Sequence, residues 1–273
     1  MSSWTSKPYC PERCYEVELT SSRGLAYRVM IAEPAGEPRD SGYAVIYALD
    51  GDAVFQTLAE TVRLQTRKPK GHAPIIVVGI GYPSREPFDM ERRCRDFTMP
   101  APDGSLPARP DGRGWPPHGG ADEFLDFLED ELMPAIAEQW PINRSRQLLF
   151  GHSLGGLFAL HALSARPRLF SHYVAGSPSV WWGENAVLKE LEALVNAANA
   201  GSAVPPAQPV QLLLAIGADE LPDMLGGVDQ AAALMSRATQ AYVRTTQAVI
   251  HGEEHVSVLP AIIGRLPRFI WSG

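Results

Sequence analysis

The segment Gly151–Gly155 has a serine at its centre and the Gly-x-Ser-x-Gly spacing of a nucleophile elbow. A short apolar run, Gln147–Phe150, precedes it, and a helical pattern that includes Leu157 and Leu160 follows it. A serine on such a tight strand-to-helix turn is held in a strained conformation that projects its hydroxyl toward substrate. Glycines are expected on either side, because side chains there would collide with neighbouring backbone. The segment therefore predicts that Ser153 is a catalytic nucleophile.

Short apolar runs alternate with helical patterns along most of the chain, which is typical of α/β folds. The continuous runs predicted as strands are Tyr43–Leu49, Ile75–Ile80, Gln147–Phe150, Tyr173–Ala175 and Val210–Ile216, with Thr246–Ile250 as the last strand. Because continuous apolarity suits strands covered on both faces, we expect a mostly parallel sheet. Two alternating segments, Tyr15–Leu19 and Tyr27–Ile31, predict an antiparallel edge. We predict one α/β domain over residues 1–273, with a doubly wound sheet and helices on both faces.

Two stretches interrupt this alternation. Residues 83–118 are rich in proline, glycine and arginine, and residues 181–208 contain a predicted helix, Asn185–Asn199, followed by a polar loop. Both follow strands at their C-terminal ends, where open α/β sheets bind ligands. We therefore expect them to form a loop-rich lid or the walls of a pocket. The clearest helix elsewhere is Asp122–Ile136, with apolar residues on one face and acidic residues on the other.

A nucleophilic serine needs a histidine base, which follows it in the chain order serine, acid, histidine. His255 lies in a loop after the last predicted strand, the position expected for that base. His152 is adjacent to the serine, but its side chain is expected on the opposite side of the turn, beneath the elbow. The other histidines after the elbow lie within the elbow helix or at strand ends, namely His161, His172 and His251.

The acid that orients the base is expected after the strand Val210–Ile216, where Asp219 and Glu220 are adjacent candidates. Local sequence does not choose between these two carboxylates. The oxyanion of a tetrahedral intermediate needs N–H donors. We expect one from the backbone of Leu154 and a second from the loop after the third strand, at Gly51 or Asp52.

Charge and cysteine content restrict the other function classes. The net charge is −7 and no long Lys/Arg-rich run is present, so a nucleic-acid partner is not expected. No apolar run approaches the length of a membrane span. No secretory signal is visible, so a cytoplasmic location is expected, or a periplasmic one if a leader has been removed. Cys10 and Cys14 have no second cysteine pair or nearby histidine to complete a zinc site, so no metal is expected. We expect the cysteines to be reduced thiols.

Several segments together resemble the putative-esterase family of α/β hydrolases, and within it the branch of enterobactin and salmochelin esterases. These segments are residues 47–55, the elbow at 151–156, Ser-Pro-Ser-Val-Trp-Trp at 177–182 and Gly-Glu-Glu-His-Val-Ser-Val at 252–258. The resemblance runs from about Tyr15 to the C-terminus. It implies an α/β-hydrolase fold, with Ser153 as the nucleophile and His255 as the base. It also favours Glu220 over Asp219, because relatives carry a Gly-Glu-x-Glu-like stretch there, although Ala218 replaces its first glutamate.

The resemblance also suggests substrate-binding residues. Arg92, Arg93 and Arg95 match an arginine-containing pocket segment and could hold anionic catecholate or carboxylate groups. Equally, one of them could pair with a neighbouring acid and order the loop. Trp181 and Trp182 could stack on aromatic acyl groups or cover the core. Adjacent tryptophans do not easily share the core, so at least one is expected to face the pocket.

These expectations describe a serine carboxylic-ester hydrolase that forms an acyl-enzyme and needs no cofactor. The resemblance implies that the substrate, the small-molecule partner of this chain, is a catecholate trilactone siderophore. The iron-loaded (ferric) siderophore is one possible form of it. A general carboxylesterase or an acyltransferase of the same fold is the alternative within enzymes. A noncatalytic ligand-binding protein on a hydrolase scaffold is the alternative from another class.

Overall fold

The computed structural model describes Ser6, residues 11–109 and residues 112–272. Cys10, one half of the cysteine pair considered above, lies outside these residues. Among the described residues, Cys14 and Cys94 are free cysteines that form no disulfide. Within the described ranges, no helix is long and apolar enough to cross a membrane.

The described residues form an eight-stranded sheet with the spatial order β1-β2-β4-β3-β5-β6-β7-β8. The strands are β1 (Cys14–Thr20), β2 (Ala26–Ala32), β3 (Tyr43–Leu49), β4 (Ile75–Gly81), β5 (Ile142–His152), β6 (His172–Gly176), β7 (Val210–Gly217) and β8 (Val243–Ile250). Neighbouring strands from β4 to β8 are parallel, whereas β2 runs antiparallel to both β1 and β4. The predicted mostly parallel sheet with an antiparallel edge is therefore confirmed.

Helices cover both faces of the sheet, as predicted. They are α1 (Gly51–Gln65), α2 (Met90–Phe97), α3 (Ala121–Phe127), α4 (Met133–Gln139), α5 (Leu154–Ala165), α6 (Trp182–Asn199), α7 (Pro222–Met235), α8 (Val258–Ile263) and α9 (Leu266–Phe269). Successive side chains of a strand point to opposite faces. Accordingly Tyr47 of β3 packs with α5 on one face, while Ile46 packs with α1, α8 and α9 on the other.

The helix predicted over residues 122–136 is not uniform. A π-helical turn, Leu128–Leu132, separates α3 from α4, and the N–H of Met133 donates to the carbonyl of Leu128. Pro134 follows directly and has no N–H to donate, so a regular α-helical ladder cannot continue through it.

The two interrupting stretches contain more helix than the sequence indicates. Residues 83–118 include α2, whose N-terminus is capped by the side chain of Asp89. In the second stretch α6 begins at Trp182, ahead of the predicted Asn185, with a kink at residues 183–185 where φ is positive. The ring of Trp115 lies 5.8 Å from the ring of Trp181, so the two stretches pack against each other.

The connections after β3, β5, β6, β7 and β8 emerge at the same edge of the sheet, because these strands are parallel. They carry Asp50, Ser153, Ser177, Glu220 and His255 respectively. Residues that are far apart in sequence are thereby gathered at one end of the molecule, where open α/β sheets bind ligands.

Candidate active site

Ser153 lies between β5 and α5, at the elbow that the sequence predicts. Its backbone has φ 59° and ψ −117°, a conformation that residues other than glycine rarely adopt. The N–H of Ser153 donates to the carbonyl of Gly176 at 2.9 Å, and its own carbonyl accepts from Leu157 at 2.9 Å. The strained turn is therefore fixed by β6 on one side and by the first turn of α5 on the other.

The glycines around Ser153 do not all serve the same purpose. A Cβ atom at Gly151 would lie only 2.0 Å from the carbonyl oxygen of Gly155, so glycine is required there. At Gly155 an added Cβ would meet its neighbours at 3.5 Å, which is ordinary contact. The expectation that both flanking glycines avoid a collision is therefore wrong for Gly155. The second tight position is Gly156, where a Cβ would lie 2.7 Å from the carbonyl oxygen of Gly176.

His255 and Glu220 are directly paired: Nδ1 of the imidazole lies 2.7 Å from Oε2 of the carboxylate. The Glu220 side chain is 1% exposed, whereas that of His255 is 41% exposed. Asp219, the alternative acid, has an exposed side chain, and its N–H donates to the carbonyl of Glu253. The structure thus brings Glu220 rather than Asp219 to the histidine.

Glu220 is held as an ionised acceptor. Its Oε1 accepts hydrogen bonds from Oγ of Ser177 at 2.5 Å and from the N–H of Gly217 at 3.0 Å. Burial by itself would raise the pKa of Glu220, but the hydrogen bonds from His255, Ser177 and Gly217 outweigh it and leave the pKa below its usual range. An ionised carboxylate at this position fixes the imidazole tautomer with the proton on Nδ1 and leaves Nε2 as the basic atom.

His152 packs beneath the elbow, as the sequence predicts. Its ring is buried, and its centroid lies 4.6 Å from that of His255. Burial, reinforced by the neighbouring His255, lowers the pKa of His152 to about 3. A neutral ring therefore supports one face of the histidine that pairs with Glu220.

The hydroxyl of Ser153 lies 3.3 Å from Oγ of Ser179, a buried serine on the connection after β6. Within the residues the structure describes, no hydrogen bond joins Ser153 to His255. Catalytic hydrogen bonds are often long or poorly aligned without substrate and shorten when it binds. Either hydroxyl can donate in the contact between Ser153 and Ser179, so this contact leaves the Ser153 proton available to the histidine.

The backbone donors expected for an oxyanion lie at two helix starts. Leu154 is the first residue of α5, and Gly51 and Asp52 are the first residues of α1. The first N–H groups of a helix have no intrahelical partner and are free to bind an anion. Gly51 lies so close to β4 that a Cβ there would be 2.7 Å from the carbonyl carbon of Gly79. The Asp52 side chain is an acceptor within the fold, because it pairs with Arg28 and accepts from the N–H of Tyr82.

The three arginines of α2 are engaged within the protein. Arg92 donates to the carbonyl of Ala26 at 3.0 Å and pairs with Asp96 at 3.4 Å. Arg95 pairs with Glu123 at 2.8 Å. These contacts fit the alternative in which the two guanidinium groups order the loop, and the role in binding substrate stays a prediction.

Arg93 is almost fully buried, and its Nε lies 2.7 Å from Oδ1 of Asp50. The pair lacks the in-line geometry of a hydrogen bond, so the contact is an ion pair. Nη2 of Arg93 also donates to the carbonyl of His152 at 3.4 Å. Arg93 thus connects the segment before α1 with the elbow and is largely buried between them.

The adjacent tryptophans have different environments. Trp182 is fully buried, and its Nε1 donates to the carbonyl of Met99 at 3.0 Å. Trp181 is only partly buried and packs against Trp115. Trp182 therefore belongs to the core, while Trp181 retains surface that a ligand could contact.

Three features of the site have no counterpart in the sequence predictions: the contacts of Ser177 and Ser179, and the Asp50–Arg93 ion pair. The Ser-Pro-Ser segment is visible in the sequence as part of the family resemblance. Its contacts are not, because Glu220 lies 43 positions from Ser177 in the chain. Only the parallel arrangement of β6 and β7 brings the two together.

The chain matches known proteins over most of its length. The family model described as Putative esterase matches residues 21–258. The ferri-bacillibactin esterase BesA of Bacillus subtilis (strain 168) is 42% identical over 261 residues, which cover 93% of this chain and 88% of BesA. The siderophore enterobactin esterase of Emericella nidulans is 33% identical over 72% of this chain and 69% of its own. The crystal structure of the BES protein from Bacillus cereus superposes with a TM-score of 0.90 and 34% identity, covering 99% of this chain and 100% of that one.

Proposed function

Because this chain belongs to the Putative esterase family, we propose that it is a single-domain serine esterase that cleaves the ester bonds of a catecholate trilactone siderophore. The observation that carries the esterase chemistry is the hydrogen-bonded pair of His255 and Glu220 beside the strained Ser153. The substrate class is supported by the relatives, whose names specify ferri-bacillibactin and enterobactin esterases.

In the first half of the proposed reaction, Oγ of Ser153 attacks the ester carbonyl carbon and its proton passes to Nε2 of His255. The carbonyl electron pair moves to oxygen, and the resulting oxyanion accepts hydrogen bonds from the N–H of Leu154 and from the start of α1. Glu220 stays ionised and stabilises the imidazolium. When the intermediate collapses, the leaving alcohol takes the proton from His255 and the acyl group remains on Ser153.

In the second half, water attacks the acyl-enzyme and gives a proton to His255. The new tetrahedral intermediate expels Ser153, which recovers its proton from the imidazolium, and the free acid leaves. Every proton transfer passes through His255. The residues of this chain therefore account for the whole hydrolysis, with water as the second substrate.

The surface around the catalytic pair suits an aromatic acyl group. Leu221 directly follows Glu220 and is 73% exposed, and Val256 directly follows His255 and is 65% exposed. Both side chains offer a ligand apolar surface directly next to the two residues of the pair. With the α2 arginines paired internally, we propose that these side chains and Trp181 contact the catechol rings, and that iron-free and ferric siderophores are both candidate ligands.

We also propose that the enzyme acts in the cytoplasm. The described cysteines, Cys14 and Cys94, are both unpaired, which suits a reducing compartment. Fractionation of the producing cells would test the location directly, and recovery of the protein with the periplasmic contents would contradict it.

Two measurements test the function. First, a fluorophosphonate probe is expected to label the folded protein at Ser153, as located by peptide mapping, and to leave S153A unlabelled. The absence of an adduct on Ser153 would rule out the serine mechanism. Second, hydrolysis of enterobactin-like trilactones, iron-free and iron-loaded, is compared with that of short-chain nitrophenyl esters. Turnover of the nitrophenyl esters alone would retain the esterase and reject the siderophore substrate. Preferential transfer to an added alcohol would instead indicate an acyltransferase.

A further inference from the structure

Ser177 lies directly after β6, and its hydroxyl contacts the carboxylate of Glu220. Its Oγ donates to Oε1 at 2.5 Å, a short distance for a hydroxyl–carboxylate hydrogen bond. The other oxygen of the same carboxylate, Oε2, lies 2.7 Å from Nδ1 of His255. The two oxygens of Glu220 are therefore divided between the scaffold and the histidine.

The backbone of Ser177 is also unusual. Its φ is 40°, in the left-handed region that favours glycine, and such conformations cost on the order of 1–3 kcal/mol in residues with a Cβ. Its N–H donates to the carbonyl of Ala215 in β7 at 2.7 Å, which ties the turn to the adjacent strand. Glycine would adopt this φ more easily, but it lacks the hydroxyl that serine donates to Glu220.

The hydroxyl of Ser177 matters because both it and the Glu220 carboxylate are buried. Ser177 has no exposed surface, and the Glu220 side chain has almost none. A buried carboxylate is costly unless its oxygens accept hydrogen bonds. Without Ser177, Oε1 would keep only the N–H of Gly217, the last residue of β7, which lies three positions before Glu220 and does not anchor it to another strand.

We propose that Ser177 is a positioning residue of the hydrolysis: its hydroxyl holds Oε1 of Glu220 so that Oε2 faces Nδ1 of His255. This inference rests on the function proposed above. Ser177 itself touches no reacting atom and acts only through Glu220.

The test uses two variants that remove the hydroxyl and differ in backbone freedom. S177A keeps the Cβ at positive φ, whereas S177G removes it and so folds without that strain. The matched control is S171A, which removes a serine hydroxyl at the opposite end of β6, where Ser171 contacts Gln147 and His172. We expect S177A and S177G to lower kcat about tenfold with KM unchanged, as for loss of a hydrogen bond to a charged group. We expect S171A to keep the wild-type kcat.

The decisive comparison repeats S177A in an E220A background. If Ser177 acts through Glu220, S177A costs less than about twofold there, because nothing remains to be positioned. A loss of the same factor in both backgrounds would assign Ser177 a merely structural role and overturn the proposal.

A readout without substrate separates this inference from the proposed function. Proton NMR follows the downfield resonance of the hydrogen-bonded Nδ1–H of His255, which we expect in the wild type and in S171A. We expect it to be shifted or lost in S177A, S177G and E220A. If the wild type hydrolyses no ester, the proposed function fails while this resonance still decides the role of Ser177. Retention of the wild-type resonance in both S177A and S177G would contradict the proposal.

Discussion

Nε of Arg93 lies 2.7 Å from Oδ1 of Asp50, and the two side chains are buried, with 7% and 3% of their surface exposed. Asp50 immediately precedes α1, and Arg93 also donates to the carbonyl of His152, the residue before Ser153. Burial raises the pKa of Asp50, and the Arg93 charge opposes that rise. One ion pair therefore connects the start of α1 with the elbow, the two segments that supply the expected oxyanion donors.

Breaking this pair is expected to destabilise the protein strongly. R93M keeps much of the side-chain volume but leaves Asp50 buried without its partner, so the free energy of unfolding should fall by about 3–5 kcal/mol. Urea unfolding measures the change. D50N in the R93M background removes the unpaired charge and is therefore expected to recover much of the lost stability. Asparagine also tolerates the positive φ of 52° at this position.

The control for Arg93 lies on the same helix. Arg95 is one-third exposed and pairs with Glu123 at the surface; the buried Asp96, which lies 3.6 Å from Arg95, keeps its pair with Arg92. R95M is therefore expected to change the free energy of unfolding by less than about 1 kcal/mol. Equal destabilisation by R93M and R95M would show that burial of the ion pair is not the cause.

The geometry of Glu220 predicts a large catalytic effect from a nearly isosteric change. E220Q would present an amide N–H or a weaker acceptor to Nδ1 of His255 and so disfavour the productive tautomer. We expect kcat to fall at least about a hundredfold with little change in KM. D219N, at the exposed neighbouring acid, should keep kcat within about twofold. The assignment of the acid would be reversed if D219N were the damaging change.

The exposed apolar residues beside the catalytic pair predict a substrate-dependent effect. L221S and V256S are each expected to raise KM for an aromatic trilactone by about three- to tenfold, because each removes roughly 1 kcal/mol of apolar contact. KM for a small acetate ester should stay unchanged. V204S is the matched control, because Val204 is 61% exposed but lies on the connection before β7, at the opposite end of that strand from Glu220. Equal changes for both esters would remove these residues from substrate recognition.

His172 predicts a pH dependence of stability. Burial lowers the pKa of His172 from 6.5 to about 4, with the carbonyl of Ser272 opposing the shift and the Arg146 charge adding to it. The unfolded chain takes up this proton near pH 6.5, whereas the folded protein resists it. The contribution of His172 is therefore complete above pH 6.5 and is lost as the pH falls toward 4, by up to about 1.4 kcal/mol per pH unit.

H172Q isolates this contribution, because the other titrating groups are common to both proteins. The wild type is expected to be more stable than H172Q at about pH 7.5, and the difference should shrink steadily below pH 6.5. Urea unfolding at several pH values measures it. A difference that stays constant down to about pH 5 would contradict the neutral, buried state of His172.

The strands and the elbow can be predicted from local patterns, because burial on both faces leaves continuous apolar runs and a strand-to-helix turn leaves its glycine spacing. Local patterns predict less well which glycines around Ser153 have no room for a side chain. Gly156, unlike Gly155, is constrained by Gly176 of the neighbouring strand, a contact that no local pattern encodes. The π-helical turn before Pro134 is missed for a related reason, since the apolar period of the helix continues through it.

The partners of the charged side chains show most clearly what the sequence determines and what only the folded structure decides. Sequence order is enough to place His255 after the last strand and to limit the acid to Asp219 or Glu220. It cannot choose between the two carboxylates, because the choice depends on which of them meets Ser177 and His255 from other strands. Nor can sequence order show that Arg93 forms a buried ion pair with Asp50. Hydrophobic periodicity is a local property of the chain, whereas the pairing of a buried charge depends on partners that only the folded sheet brings within hydrogen-bonding distance.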